Sequence, residues 1–238
     1  RDVANLFQVP IGDVHVAPGG VDIYSFLKLQ TPVQQLIRRL DLVETEPWLL
    51  LPARITRRKN IELALRITAE LRKQAFPNVT LLVTGPPGPH NPDNLAYFQE
   101  LKALRDELAL GDAVHFLAEE LGQVPDIDTI IALYQIADAL LYPSFEEGFG
   151  LPILEAALLR LPIFCSDIPP LRELAGGRVT YFTPDGDPAM IAGLIARVLS
   201  VDRAAMLRRR VLNRYDWRQI VRKHVEPLIN GEKHTYGR

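Results

Sequence analysis

Residues 142–156 read Tyr-Pro-Ser-Phe-Glu-Glu-Gly-Phe-Gly-Leu-Pro-Ile-Leu-Glu-Ala, and an apolar run from Ala137 leads into them. The run indicates a buried strand that stops at Pro143. An Ala/Leu-rich segment then indicates a helix, with Pro152 in the first turn, where proline is tolerated. The turn between them carries carboxylates and glycines. A helix N-terminus presents unpaired N–H groups and a positive dipole end, so the junction predicts an anion site ringed by acidic residues. A phosphate joined to a hydroxyl-rich group would suit both features.

The composition excludes several classes of protein. The 238 residues are 47% hydrophobic and 24% charged, as in ordinary globular proteins, and the net charge of −2 predicts no general attraction to nucleic acid. The single Cys165 allows no disulfide, and the five histidines lack metal-site spacing, so no metal is expected. No apolar run approaches the ~20 residues needed to cross a bilayer. The basic cluster Arg208-Arg209-Arg210 is predicted to lie on a solvated helix face.

Strand-like and helix-like segments alternate along the chain. The predicted strands are residues 47–53, 79–83, 113–117, 138–142, 163–166 and 179–182, preceded by a short one at 13–17. The predicted helices are residues 31–40, a helix capped by Asn60, and 95–108, 129–136, 151–159, 169–174 and 188–199. This order predicts an α/β fold, a doubly wound, Rossmann-like open parallel sheet of about six strands with helices on both faces.

One domain is expected over residues 1–230, followed by a loose tail at 231–238. Because the chain begins at Arg1 within an apparent helix end, we expect it to be part of a longer protein. Residues 19–22 indicate a turn with positive φ.

Ligands of such sheets bind outside the carboxyl ends of the strands. The loops predicted at those ends are residues 54–59, 85–89, 117–120, 144–150 and 166–170. Common nucleotide motifs are absent from them: Ile153 stands where a dinucleotide fingerprint needs its third glycine, and the 85–89 loop lacks a Walker A ending. No Gly-x-Ser-x-Gly elbow of an α/β-hydrolase is present.

One set of spacings resembles a known family. Glu147 and Glu155 enclose seven residues, which resembles the Glu-x7-Glu motif of the retaining, two-domain (GT-B) glycosyltransferases of group 1, or family four, of the glycogen synthase and sucrose synthase kind. Further similar elements are Gly20-Val21-Asp22, Arg54 with Lys59, Thr84-Gly85-Pro86, residues 114–117, 162–167 and 170–175. They span residues 13–185. Gly19, Ala118 and Arg160 depart from the family pattern without removing a charged site residue.

The resemblance implies a C-terminal, donor-binding domain and roles for its residues. Arg54 and Lys59 would contact the diphosphate of the donor, Glu147 the sugar hydroxyls and Glu155 the ribose hydroxyls. Arg54, Lys59 and Glu147 are therefore the candidate catalytic residues, although a solvated basic loop and an exposed acidic turn are simpler interpretations.

The resemblance also assigns the remaining donor-binding residues. Backbone N–H groups of Gly148, Phe149, Gly150 and Leu151 would face phosphate and sugar, and Gly85 belongs to a second donor loop. Phe116 and Leu117 either form a platform for the base through backbone contacts or belong to the core.

The function expected from the resemblance is transfer of a hexose from a nucleoside diphosphate sugar to an acceptor, with retention and without a cofactor. The expected partners are the nucleotide sugar, the protein's own N-terminal domain and an acceptor that is a sugar, a lipid-linked glycan or a small molecule. A cytoplasmic location is expected, with a peripheral membrane position left open. The alternatives are a sugar-nucleotide epimerase of the same fold and a non-catalytic nucleotide-binding module. The isolated domain should bind nucleotide and transfer little or no sugar.

Overall fold

The structure, a computed structural model, describes residues 2–42, 45–88, 91–122 and 124–230. The backbone divides into two compact units, one formed by Arg1–Lys28 with Arg210–Arg238 and the other by Leu29–Arg209. The single domain expected over 1–230 stays a prediction, and the tail at 231–238 lies outside the described residues.

The larger unit contains a six-stranded, all-parallel sheet with the order β3-β2-β1-β4-β5-β6. Its strands are β1 (Trp48–Leu51), β2 (Thr80–Val83), β3 (Val114–Phe116), β4 (Ala139–Tyr142), β5 (Ile163–Ser166) and β6 (Thr180–Phe182). Every residue of β1, β2, β4 and β5 is buried, whereas the edge strands β3 and β6 are partly exposed. Continuous apolar runs form such strands because helices cover both faces of a parallel sheet.

The helices agree closely with the sequence pattern. In chain order they are α1 (Asp2–Phe7), α2 (Ile23–Phe26), α3 (Thr31–Arg39), α4 (Ile61–Gln74), α5 (Asp93–Glu107), α6 (Leu117–Leu121), α7 (Ile127–Ile136), α8 (Leu151–Leu158), α9 (Pro169–Ala175), α10 (Pro188–Val201), α11 (Arg203–Arg214), α12 (Trp217–Ile220) and α13 (Glu226–Ile229). Short 3-10 helices occur at Ile11–Asp13 and Arg57–Lys59, and a π-helical segment at Val221–Val225.

Two groups of helices cover the two faces of the sheet. The chain steps from β1 outward to β3 in one direction and from β4 outward to β6 in the other. Right-handed crossovers therefore place α4 and α5 on one face and α7 and α8 on the other. The packing agrees, because α4 contacts α5 and α10, while α3 contacts α7. The predicted fold class is confirmed.

Some local predictions are wrong. Residues 14–17 form no strand, and within the described ranges none of the six strands of the sheet pairs with them; two alternating valines alone do not make a strand. Residues 117–120 belong to the short helix α6 rather than to a loop. Asn60 does precede α4, but its side chain donates to Pro184 O at 2.7 Å instead of capping the helix.

The turn at residues 19–22, in the smaller unit, also differs from its prediction. Neither of its glycines has a positive φ. A Cβ on Gly20 would lie 2.6 Å from Ile220 Cδ1 and 3.0 Å from Tyr215 O, so close packing requires the glycine there.

The basic cluster in α11 is not a solvated face. Arg209 is 3% exposed, and its guanidinium binds the Asp138 carboxylate, with a distance of 3.0 Å from Nε to Oδ1. Asp138 also accepts the Trp48 N–H at 2.6 Å, so this pair fixes α11 against the starts of β1 and β4. Arg208 donates to the carbonyls of Gln135 and Ala137.

Replacing Asp138 tests the importance of this buried pair. Asp138→Ala leaves the Arg209 charge buried without its partner, and we expect the free energy of unfolding to fall by about 3–5 kcal/mol, measured by urea denaturation. Asp106→Ala is the matched control, because the Asp106 side chain is 73% exposed and Arg105 keeps its closer ion pair with Glu119 when Asp106 is removed. Equal losses in the two variants would contradict a special role for Asp138.

Candidate active site

The candidate site lies where the winding of the sheet reverses. β1 and β4 are neighbours, and the chain leaves them toward opposite edges of the sheet. Ligands of open parallel sheets bind at this reversal, outside the carboxyl ends of the strands. The segment after β1 contains Arg54 and Lys59, and the segment after β4 contains Glu147. The two segments meet directly, since Phe145 N donates to Arg58 O at 2.8 Å.

A buried ion pair joins these two segments. Lys59 ends the 3-10 helix Arg57–Lys59, and its ammonium donates to Glu147 Oε1 and, at 2.9 Å, to the Tyr142 hydroxyl. The side chains of Lys59 and Glu147 are only 9% and 6% exposed. The Arg58 guanidinium lies 3.7 Å from the other oxygen of Glu147. The structure thus brings together two of the three predicted catalytic residues.

Burial and pairing act in opposite directions on the pKa values of this cluster. Burial by itself acts to raise the pKa of the Glu147 carboxyl. Hydrogen-bonding groups on Lys59, Ser144 and Tyr142 outweigh that effect, so this pKa lies below its ordinary value. Burial lowers the pKa of Lys59, and the bond to Glu147 offsets only part of the effect. Burial, with a contribution from Glu147, raises the pKa of Tyr142, which therefore stays protonated.

Arg54 is held by its backbone while its side chain is exposed. Beyond the ends of β1 and β2 the two chains remain joined, with Gly85 N donating to Ala53 O at 3.1 Å and Ile55 N to Pro86 O at 3.0 Å. A Cβ on Gly85 would lie 2.4 Å from Ala53 O, so only glycine allows this approach. Within the described ranges, the Arg54 guanidinium has no hydrogen bond or ion pair. Of the 85–89 loop, Pro89 lies outside these ranges.

The turn before α8 has the backbone that an anion site requires. Gly150 precedes the helix with φ +101°, and a Cβ there would lie 2.7 Å from Leu171 Cδ2, so α9 packs directly against this glycine. Among the described residues, the N–H groups of Gly148, Phe149 and Gly150 donate to no protein acceptor. Phe149 and Leu151 are 55% and 60% exposed, which leaves the helix N-terminus open.

Glu155 lies on the exposed side of α8 and is fixed by a residue that the sequence analysis did not select. Tyr134, on α7, donates its hydroxyl to Glu155 Oε2 at 2.6 Å. Glu146, the neighbour of Glu147, is exposed. No hydrogen bond or ion pair in the described part of the chain links Arg54 or Glu155 to the Lys59–Glu147 pair.

Phe116 and Leu117 have their side chains in the core. Both are fully buried, and the Phe116 ring packs edge-on against Phe98 with centroids 5.1 Å apart. Only their backbone atoms remain available for contact with a base.

Four side chains of this region were missed in the sequence: Arg58, Tyr142, Ser144 and Tyr134. Arg57 and Arg58 are neighbours in the sequence, but Arg57 points to Glu100 whereas Arg58 contacts the Glu146 carbonyl and the Glu147 carboxylate. Their positions in the sequence do not show that these two side chains point in different directions. Their divergence follows from the tight 3-10 turn.

The described residues hold neither a cluster of metal-ligand side chains nor a helix able to span a membrane. Among residues 2–42, 45–88, 91–122 and 124–230, no three His, Cys, Asp or Glu side chains come together as metal ligands. In the same ranges, no helix combines the length and apolar composition needed to span a bilayer.

Comparison with known proteins identifies the family. A model described as glycosyl transferases group 1 matches residues 33–214, and the chain belongs to that family. A D-inositol 3-phosphate glycosyltransferase of Salinispora tropica is 30% identical over 233 residues, 93% of this chain and 47% of that protein. The chain spans about half the length of the curated relatives it matches.

Solved structures agree on the fold. A sucrose-phosphate synthase from Thermosynechococcus elongatus matches with 25% identity and a TM-score of 0.57, over 97% of this chain and 55% of that one. The C-terminal domain of a group 1 family glycosyl transferase from Francisella tularensis matches with 19% identity and a TM-score of 0.54, over 86% and 98%. The second likeness concerns the fold alone. The predicted membership in the group 1 GT-B glycosyltransferases is confirmed.

Removing the ammonium of Lys59 should change the titration of Glu147. In the native chain the lowered pKa of Glu147 means that this carboxyl adds stability above its unfolded-state pKa, and the contribution is lost as the pH falls through the folded-state pKa. In Lys59→Met, the tendency of burial to raise the pKa of Glu147 is opposed by fewer hydrogen-bond donors, so we expect this pKa to rise. NMR titration of the Glu147 carboxyl carbon measures it.

Lys73→Met is the control, since the Lys73 side chain is 68% exposed and pairs with Glu70. It should leave the titration of Glu147 unchanged. A native-like pKa of Glu147 in Lys59→Met would show that the ion pair does not set the charge of this carboxyl.

Proposed function

We propose that this chain is the donor-binding part of a glycosyltransferase that moves a hexose from a nucleoside diphosphate sugar to an acceptor with retention. The single observation that carries the proposal is the meeting of cationic side chains, carboxylates and a free helix N-terminus at the reversal point between β1 and β4. Membership in the group 1 family supports the same reaction class.

The diphosphate is assigned to the cations and to the N-terminus of α8. Arg54 is exposed and unpaired among the described residues, so its donors are available to an anion. A lysine ammonium has three donors, and Lys59 uses two of them on Tyr142 and Glu147, which leaves one for a phosphate oxygen. The N–H groups of Gly148, Phe149 and Gly150, with Leu151 at the helix start, complete the cradle.

The same groups account for catalysis. When the bond from the sugar's anomeric carbon to the phosphate oxygen breaks, its electron pair stays on the departing nucleoside diphosphate. Fixed cations and N–H dipoles stabilise that charge, which is the kind of effect that dominates many transfer reactions. Arg54 and Lys59 would perform this task.

The carboxylates are assigned to hydroxyl groups. The low pKa of Glu147 keeps it ionised and therefore an acceptor for sugar O–H groups. Glu155, exposed on α8, is assigned to the ribose. Gly85 acts indirectly, by holding the Arg54 backbone, and Phe116 and Leu117 offer backbone atoms to the base.

The remaining properties of the whole protein are part of this proposal. Since the chain spans about half of its curated relatives, an acceptor-binding part is expected to lie outside it. The acceptor is a sugar, a lipid-linked glycan or a small molecule, no cofactor is required, and the location is cytoplasmic. The chain alone should bind nucleotide and transfer little or no sugar.

Nucleotide binding tests the proposal. In calorimetric titrations with UDP, GDP and ADP, we expect at least one to bind the chain. Arg54→Ala should raise its Kd about 10- to 100-fold, because losing a hydrogen bond between charged groups costs about 1.5–3 kcal/mol.

Arg66→Ala is the matched control. Arg66 is an exposed arginine of α4 that makes no hydrogen bond or ion pair within the described part of the chain, and its removal should leave the Kd unchanged. The proposal fails if no nucleotide binds a folded sample at millimolar concentration. It also fails if Arg54→Ala and Arg66→Ala bind equally well.

A further inference from the structure

We propose that Tyr134 is a positioning residue of the nucleotide site, whose hydroxyl holds the Glu155 carboxylate in the orientation that accepts hydrogen bonds from the ribose hydroxyls. The inference rests on the proposed function and adds to it a residue on a different helix, outside every motif of the sequence. It makes α7 part of the donor site.

The geometry supports this role. Tyr134 is 2% exposed and lies near the end of α7, the helix that precedes β4. Its hydroxyl is 2.6 Å from Glu155 Oε2. Within the described residues Glu155 has no other hydrogen bond or ion pair, so Oε1 is left as a free acceptor. One oxygen is therefore fixed by the protein, and the other is open to a ligand.

A fixed carboxylate favours binding for an entropic reason. Glutamate side chains lose much rotamer freedom when they are ordered, and an exposed glutamate would lose it on contact with a ligand. The bond from Tyr134 orders Glu155 beforehand, so that cost is not added when the ribose binds.

The protonated Tyr134 hydroxyl is the donor in this hydrogen bond, and the Glu155 carboxylate is the acceptor. Burial, followed by the bond to Glu155, raises the pKa of Tyr134, so the tyrosine remains a donor. An ionised carboxylate is an acceptor only, and with Oε2 occupied by this donor its remaining lone pairs suit O–H donors. The neighbouring hydroxyls of a ribose provide two such donors.

The experiment removes the Tyr134 hydroxyl from the protein and, separately, the two ribose hydroxyls from the nucleotide. Tyr134→Phe keeps the buried ring. Two nucleotides are used: the tightest binder among UDP, GDP and ADP, and the 2′,3′-dideoxy form of that nucleotide. For each of them, the Kd of the Tyr134→Phe variant is compared with the Kd of the native chain. We expect the Kd of the ribonucleotide to rise about three- to tenfold, the usual effect of one hydrogen bond, and that of the dideoxy form to change less than about twofold.

Two further variants make the result specific. Tyr97→Phe removes another buried tyrosine hydroxyl that bonds a glutamate, Glu62, on helices α5 and α4, and it should affect neither nucleotide. In a Glu155→Ala background, Tyr134→Phe should have no further effect on the ribonucleotide, because the carboxylate through which it acts is gone. Thermal melts of each variant report whether the fold is retained.

The outcomes separate this inference from the proposed function. If the native chain binds a ribonucleotide better than its dideoxy form but Tyr134→Phe leaves that difference intact, the role of Tyr134 is wrong and the donor site stands. An equal loss for both nucleotides would show that Tyr134 only supports the fold. If the native chain binds none of the nucleotides, both proposals are overturned.

Discussion

The ion pair between Lys59 and Glu147 is the interaction on which the arrangement of the site depends. Taking two charges out of water costs several kcal/mol per ion, and attraction offsets this only with good geometry and additional hydrogen bonds. Here the Tyr142 hydroxyl and the Arg58 guanidinium supply further partners. A well-packed apolar pair would serve stability as well. Stability alone therefore does not account for the two buried charges, which fix the segment after β1 against the segment after β4.

The topology of the sheet places the site segments side by side, and two glycines allow the neighbouring backbone and helix to approach them closely. Because the winding of the sheet reverses between β1 and β4, the two segments leave the sheet side by side. Gly85 lets the neighbouring loop approach the backbone of Arg54, and Gly150 lets α9 pack under the start of α8. The buried Asp138–Arg209 pair lies at the starts of the same two central strands. The central strands are thus fixed by charge pairs at both ends.

The sequence was sufficient for the sheet and for half of the site. Continuous apolar runs such as 47–53 and 163–166 identify strands buried on both faces, and the site loops then follow from topology. That Lys59 and Glu147 belong to one site follows because each lies after a central strand, but their direct ion pair was not predicted. Tyr134 and Arg209 could not be assigned in this way, since they lie within helices rather than in loops after strands, and only the packing of α7 and α11 brings them to their partners. The prediction of a strand at residues 13–17 was wrong, because the alternating pattern was present there but none of the six described strands of the sheet pairs with these residues.

A crystal structure of the chain with the nucleoside diphosphate that it binds most tightly would show whether Arg54 and the start of α8 hold the diphosphate. We expect phosphate oxygens within about 2.7–3.2 Å of the Arg54 guanidinium and of the N–H groups at residues 148–150, with the nucleotide lying across the loops after β1 and β4. A nucleotide ordered elsewhere on the chain, with these donors left to solvent, would contradict it.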